Sequence, residues 1–177
     1  LLNSLPELLN HFQVVHLSGA RDWDLVNAAS QQIQGLHPGI PLSEFPNLQP
    51  HPHASRYHAY PYLHEEMAAA LAIADLVVSR AGASCLGEYP LFRLPAILVP
   101  YPYAWRYQKV NASYLVKHGA AVLLEDANLN AQLVNQIDDL FNQPEVLKQM
   151  KEKMGELRTP SASRNIANLI LNLAVGQ

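Results

Sequence analysis

Short apolar runs and longer amphipathic stretches take turns along this chain. Residues 5–12 have the spacing of the end of a helix, residues 13–17 (Gln-Val-Val-His-Leu) read as a strand closed by Ser18-Gly19, and residues 23–36, rich in Ala and Gln, read as a helix. Between Gly35 and His58 stand Pro38, Pro41, Pro46, Pro50 and Pro52. Each lacks an amide donor, so a surface excursion is expected there, ending at a short strand over 57–60. A helix is expected from about His64-Glu65-Glu66, whose carboxylates suit a helix N-terminus, through Ala74. Then come a strand at 75–79, a turn at 80–84, a helix to about Arg93, a strand at 96–99, a helix at 108–118 and a strand at 121–124. From Leu129 onward only helical patterns follow, broken at Pro144 and Pro160, with Ser161 or Ser163 as caps. The apolar stripe within 165–171 is expected to pack on a core. Strands alternating with helices predict an α/β fold, a Rossmann-like parallel sheet with helices on both faces and a helical C-terminal tail.

Composition narrows the class. At 177 residues the chain fits one domain, and 49% apolar with 15% charged residues is a globular composition. The net charge is −3 with no run of Lys or Arg, so the field that drives nucleic-acid binding is missing. A lone cysteine, Cys85, can form neither an internal disulfide nor a thiolate zinc site by itself; a reducing, cytoplasmic setting is expected. No run approaches the roughly 18 to 20 apolar residues of a spanning helix. The chain opens without Met, already inside an amphipathic pattern, and is expected to be part of a longer protein.

In an open parallel sheet, ligands lie beyond the carboxyl ends of the strands, which singles out the junctions 60–67, 80–88 and 100–111. The middle one runs Arg80-Ala81-Gly82-Ala83-Ser84-Cys85-Leu86-Gly87-Glu88. Gly82 either takes a positive φ or makes room, the amides of Ala83, Ser84 and Cys85 would face an anion such as a diphosphate, and Glu88 would accept protons from a ribose diol. A plain strand-to-helix turn with a solvated Glu88 fits the spacing equally well. His51, His53, His58 and His64 invite a metal reading, but zinc sites usually add Cys or carboxylate ligands, and surface histidines are expected. Cys85 reads as a small residue in a tight turn rather than a nucleophile. Tyr101, Tyr103, Trp105 and Tyr107 form an aromatic loop that either closes over a sugar, meets another domain or wedges against its own. Arg106 reads as a ligand contact or as a surface cation.

Several strings converge on one family. Asp75-Leu-Val-Val-Ser-Arg-Ala-Gly-Ala-Ser84, Gly87-Glu88, Leu94-Pro95-Ala-Ile-Leu-Val-Pro100, Gln108 and Asn111-Ala112 resemble the donor domain of the MurG-type UDP-N-acetylglucosamine:undecaprenyl-pyrophosphoryl-muramoylpentapeptide N-acetylglucosaminyltransferases. Phe12-Gln-Val-Val-His-Leu-Ser-Gly19, Pro61-Tyr-Leu63 and Met67-Ala-Ala-Ala70 resemble it too, in the right order. The resemblance implies one half of a two-domain GT-B enzyme. Residues 1–177 would be the C-terminal domain that binds UDP-N-acetylglucosamine, with the acceptor domain, the Gly-rich loop and the catalytic base outside this chain. It further implies that Leu63 meets uracil through its backbone, that Ala83, Ser84 and Cys85 face the diphosphate beside Gly82, that Glu88 holds the ribose and that Gln108 binds sugar hydroxyls. Neither a cofactor nor a metal is implied. The acceptor would be a lipid-linked muramoyl peptide, reached through the missing domain at the inner face of the plasma membrane. The chain departs from the family at Cys85, where Thr is common, and at Tyr107-Gln108, where some members carry a Gln pair. Two other readings share the pattern, a UDP-N-acetylglucosamine epimerase and a non-catalytic nucleotide-sugar binding module. Against the epimerase, the 100–108 loop has no acidic pair.

Overall fold

All five strands pair in parallel in a computed structural model that describes residues 1–103 and 107–175. The chain divides into two compact units, Leu1–Ile73 with Ala127–Asn142, and Ala74–Asp126 with Gln143–Gln177.

In the first unit, α1 (Leu5–His11) begins with Pro6 in its first turn and buries Leu5, Leu8 and Leu9, the i, i+3, i+4 spacing of one helix face. Its last carbonyls are met by a cation: the Arg56 guanidinium donates to Leu9 O at 3.0 Å and Asn10 O at 2.6 Å. Strands β1 (Val14–Leu17) and β2 (Tyr57–Tyr60) form a two-stranded sheet in which His16 pairs with Ala59. Helix α2 (Trp23–Ile33) turns Val26, Ala29 and Ile33 into a core shared with Leu5, Leu9, Leu48 and Tyr57. It stops short of Leu36 because Gly35 adopts φ 78°, while Leu36 N–H reaches back to Gln31 O at 2.9 Å.

The proline-rich stretch has no regular element until a single turn at Ala54–Arg56. It is not wholly superficial, since Leu48 is buried and the Gln32 side chain donates to its carbonyl at 3.3 Å. Helix α3 (Met67–Ile73) starts at Met67 rather than near His64. Helix α6 (Leu129–Phe141) buries Leu133, Ile137 and Leu140, and Phe141 lies against Phe12 with ring centroids 4.8 Å apart.

The second unit carries the three-stranded sheet β3-β4-β5 (Val77–Ser79, Ala96–Leu98, Ala121–Leu123), with Val77 opposite Ala96 and Ala96 opposite Ala121. Ala96, Ile97 and Leu98 are completely buried, as a middle strand covered on both faces must be. Helices α4 (Cys85–Phe92), α5 (Tyr107–Lys117) and α7 (Pro144–Glu156) contribute Cys85, Tyr89, Leu115, Met150 and Met154 to this core. Helix α4 ends in a Schellman motif, Leu94 N–H to Tyr89 O and Arg93 N–H to Pro90 O, with Arg93 in the left-handed region usually taken by glycine. Helix α8 (Ala162–Val175) corrects an expectation: its stripe does not pack on a core, and Ile166, Leu169, Ile170 and Leu171 are each 60% exposed.

Candidate functional site at the strand ends of the second unit

Because β3, β4 and β5 run in parallel, Ser79, Leu98 and Leu123 end at one edge, and the loops that follow share it. Side chains tie these loops together. Arg80 Nη1 donates to Val99 O at 3.2 Å and to the Asp126 carboxylate, and the guanidinium lies 5.3 Å from the centroid of the Tyr101 ring. Asn111 Nδ2 donates to Ala81 O at 3.0 Å, Tyr89 Oη donates to Ser79 Oγ at 2.8 Å, and Tyr101 N–H donates to Gln108 Oε1 at 2.8 Å. These bonds seat the turn 80–84 and the first turn of α5 on the sheet.

The turn 80–84 delivers the chain into α4 with two contrasting faces. Cys85 and Tyr89 point into the core, whereas Ala83, Ser84, Gly87 and Glu88 are exposed. The amides of Ala83 and Ser84 have no hydrogen-bond partner among the described residues, as expected of the free donors at a helix start. Glu88 occupies the first turn with its carboxylate exposed. The arrangement offers two free donors and a helix dipole for an anion, with an acceptor carboxylate one turn further on.

Residues 2–166 match the family described as "Glycosyltransferase family 28 C-terminal domain". The chain belongs to this family. Among relatives named UDP-N-acetylglucosamine--N-acetylmuramyl-(pentapeptide) pyrophosphoryl-undecaprenol N-acetylglucosamine transferase, it is 36% identical to that of Roseiflexus sp. (strain RS-1), over 97% of this chain and 39% of the relative. It is 37% identical to that of Halothermothrix orenii, over 93% of this chain and 41% of the relative. The chain therefore spans about two fifths of the curated relatives it matches. The crystal structure of Acinetobacter baumannii MurG superposes with a TM-score of 0.68 at 26% identity, covering 97% of this chain and 46% of that one. Spinosyn forosaminyltransferase SpnP, 13% identical with a TM-score of 0.53, shares the fold alone.

Within this family 28 domain the candidate residues fall out unevenly. Gly82 does not take a positive φ, and a Cβ there would meet nothing within 4 Å, so no contact among the described residues requires glycine at this position. Cys85 departs from expectation in part. Its amide turns into the chain, donating to Gly82 O at 3.3 Å, and its thiol is buried, because α4 needs an apolar side chain one position beyond its cap. Burial pushes that thiol up to about 11, with the Glu88 charge adding to the rise, which disfavours the thiolate at neutral pH.

Gln108 is half-buried with its carbonyl oxygen committed to Tyr101, which leaves its NH2 to donate. Leu63 lies after β2 in the first unit, so the geometry of the second unit does not include it. Trp105 and Arg106 lie outside the described residues. Of the aromatic loop, Tyr101 and Tyr103 meet edge to face at 5.6 Å, and Tyr103 and Tyr107 are 82% and 74% exposed, so neither is wedged against the domain. Among the described residues no group of three or more His, Cys, Asp or Glu side chains is placed to hold a metal; His51 Nδ1 instead accepts the His53 amide at 3.1 Å.

Sequence reasoning missed the ties made by Arg80, Asn111 and Asp126. Arg80 and Asn111 stood inside the family-like strings, where their residue types were a signal. Asp126 carried none, because its partner is 46 positions away.

A cleft of about 370 Å³ in the first unit, lined by His16, Ser18, Asp22, Phe45 and Asn130 among others, contains none of the predicted ligand residues. At its margin Tyr57 Oη meets His16 Nδ1 at 2.8 Å. Burial holds the His16 imidazole down at about 4, and burial raises the Tyr57 hydroxyl. A neutral His16 accepting from a protonated Tyr57 satisfies both groups.

Proposed function

We propose that this chain is the nucleotide-sugar-binding part of an N-acetylglucosaminyltransferase that uses UDP-N-acetylglucosamine and a lipid-linked muramoyl-peptide acceptor in peptidoglycan synthesis. The supporting observation is the exposed face of Ala83, Ser84, Gly87 and Glu88 at the carboxyl edge of a parallel sheet, with the two free amides beside the Glu88 carboxylate, in a family 28 domain. The diphosphate lies against the Ala83 and Ser84 amides over Gly82, the ribose hydroxyls donate to Glu88, and the Gln108 NH2 donates to the sugar. Leu63 serves uracil through its backbone, and the Cys85 contribution reduces to the buried side chain that sets the turn.

Transfer inverts the anomeric centre. An acceptor hydroxyl attacks the anomeric carbon opposite the diphosphate as the bond to UDP breaks, and the amides at the start of α4 stabilise the charge that collects on the leaving phosphate. The acceptor site and the base that takes the hydroxyl proton belong to protein outside this chain, which alone forms no glycosidic bond. No described helix is long and apolar enough to cross a membrane, and contact with the inner face of the plasma membrane is assigned to the acceptor-binding part.

Calorimetry with UDP tests this reading. The chain is expected to bind UDP with a Kd of roughly 0.1 to 1 mM. Glu88→Ala should weaken binding about tenfold to a hundredfold, since two charge-assisted bonds are lost, without lowering Tm. Glu88→Gln should be milder, and 2′,3′-dideoxy-UDP should not distinguish wild type from Glu88→Ala. Equal UDP affinity in wild type and Glu88→Ala would show that the ribose does not sit on α4.

A further inference from the structure

Arg80 leaves β3 between two loops with different tasks. On one side is the 80–84 turn; on the other is the segment after β4 that carries Tyr101 and leads to Gln108. Its guanidinium is engaged in three directions, by the Val99 carbonyl, the Asp126 carboxylate and the face of Tyr101. Tyr101 continues the chain of contacts through its amide, which donates to Gln108 Oε1 at 2.8 Å. Contacts thus run from Asp126 behind β5, through Arg80 behind β3 and Tyr101 behind β4, to the first turn of α5.

As a contribution to stability the ion pair is modest. The Arg80 and Asp126 side chains are 45% and 34% exposed, and exposed pairs of this kind hold folds together only weakly. Its geometry is informative in another way. One planar cation fits a carbonyl, a carboxylate and a ring face at once, which a lysine cannot reproduce. The guanidinium touches the ring of Tyr101 and the carbonyl of Val99 two residues earlier, and the amide of Tyr101 in turn holds the carboxamide of Gln108.

We propose that Arg80 is a positioning residue that, through Tyr101, fixes the orientation of the Gln108 carboxamide so that its NH2 group is presented to the sugar of a bound nucleotide sugar. With one lone pair of Oε1 engaged by the Tyr101 amide, the carboxamide is held in one orientation and its NH2 group is left to donate to a sugar oxygen. The Arg80 charge is already paired with Asp126. The inference rests on the donor-binding reading given above and adds the residue that orients the sugar end of the site.

The test uses the whole chain as wild type and as Arg80→Ala, Arg80→Lys, Asp126→Asn and Gln108→Glu. Two quantities are read. The first is hydrogen exchange at the Tyr101 amide, which stands isolated because Pro100 and Pro102 have no amide proton. The second is the ratio of affinities for UDP-N-acetylglucosamine and UDP.

Arg80→Ala should speed Tyr101 exchange about tenfold or more while β4 amides stay protected, and lower the affinity ratio about threefold to tenfold, any fall in UDP affinity being smaller than that for the sugar nucleotide. Asp126→Asn should move both in the same direction by less, and Arg80→Lys should restore only part. Gln108→Glu should keep Tyr101 protected, since a carboxylate still accepts its amide, yet lose the sugar preference. Unchanged Tyr101 exchange in Arg80→Ala, or UDP affinity falling in step with that of the sugar nucleotide, overturns the proposal. If wild type binds both ligands and the ratio does not move in any variant, the positioning role alone fails. If wild type binds neither, the donor-binding reading fails and takes this proposal with it.

Discussion

Cys85 and Glu88 sit three positions apart on α4, only roughly 60° apart around the helix, yet Cys85 falls with Tyr89 on the buried side of the boundary and Glu88 with Ser84 and Gly87 on the exposed side. A thiol with its proton held to about 11 leaves only about one molecule in a thousand as thiolate at pH 8. Native protein at pH 8 should therefore resist iodoacetamide for hours, while urea-unfolded protein should react within minutes; rapid labelling of the native form would place the thiol on the ligand face. Both fates were partly legible beforehand. A small residue at 85 and a carboxylate at 88 fit the turn on helical spacing alone. The conformation of Gly82 was not legible, since either backbone solution fits a strand-to-helix turn. Nor was the commitment of Gln108 Oε1 to the Tyr101 amide, a contact between residues seven positions apart that no periodicity signals.

At the scale of elements, every expected strand and helix is present, and the differences lie at their ends. Helix α2 stops at a left-handed glycine short of the expected Leu36 and α3 starts at Met67 rather than near His64, whereas α4 ends at Arg93 as expected, in a left-handed turn that its residue type seldom advertises. The pairing of β1 with β2 has a consequence for pH. His16 on β1 shares a hydrogen bond with Tyr57 on β2, Nδ1 to Oη at 2.8 Å, and is held near 4, below its ordinary 6.5. A folded-state value below the unfolded one means that the unfolded chain binds the extra proton first. The stability that His16 contributes is therefore fully present above about pH 6.5 and is lost as pH falls toward 4. The shift sets a ceiling of roughly 3 kcal/mol, and because the imidazole is partly solvent-accessible a loss of about 1 to 2 kcal/mol is expected. Urea unfolding at pH 7, 5.5 and 4.5 measures it. His16→Gln should flatten the dependence by that amount, and equal slopes for the two proteins would remove His16 as the cause.

The largest gap between pattern and structure concerns the molecule as a whole. The period of α8 was legible, but a hydrophobic stripe reports only that a face needs cover, not what covers it. Among the described residues nothing does: Ile166, Leu169, Ile170 and Leu173, at i, i+3, i+4 and i+7, are 60% to 67% exposed along a 14-residue helix. A contiguous apolar surface of this kind covers on the order of a few hundred Å², as much as the largest patch on a typical monomer, and such patches mark contact surfaces. The same chain also leaves Val15 and Leu17 of β1 48% and 38% exposed. With a net charge of only −3, little long-range repulsion opposes association. Sedimentation of the chain is therefore expected to show concentration-dependent association between about 5 and 200 μM. Ile170→Glu with Leu173→Glu should abolish it while shifting Tm by no more than about 2 °C, because neither side chain belongs to a buried core. A wild-type chain that stays monomeric across that range would show that the α8 stripe is not adhesive. Loss of association accompanied by a large fall in Tm would show instead that α8 packs against its own domain in solution.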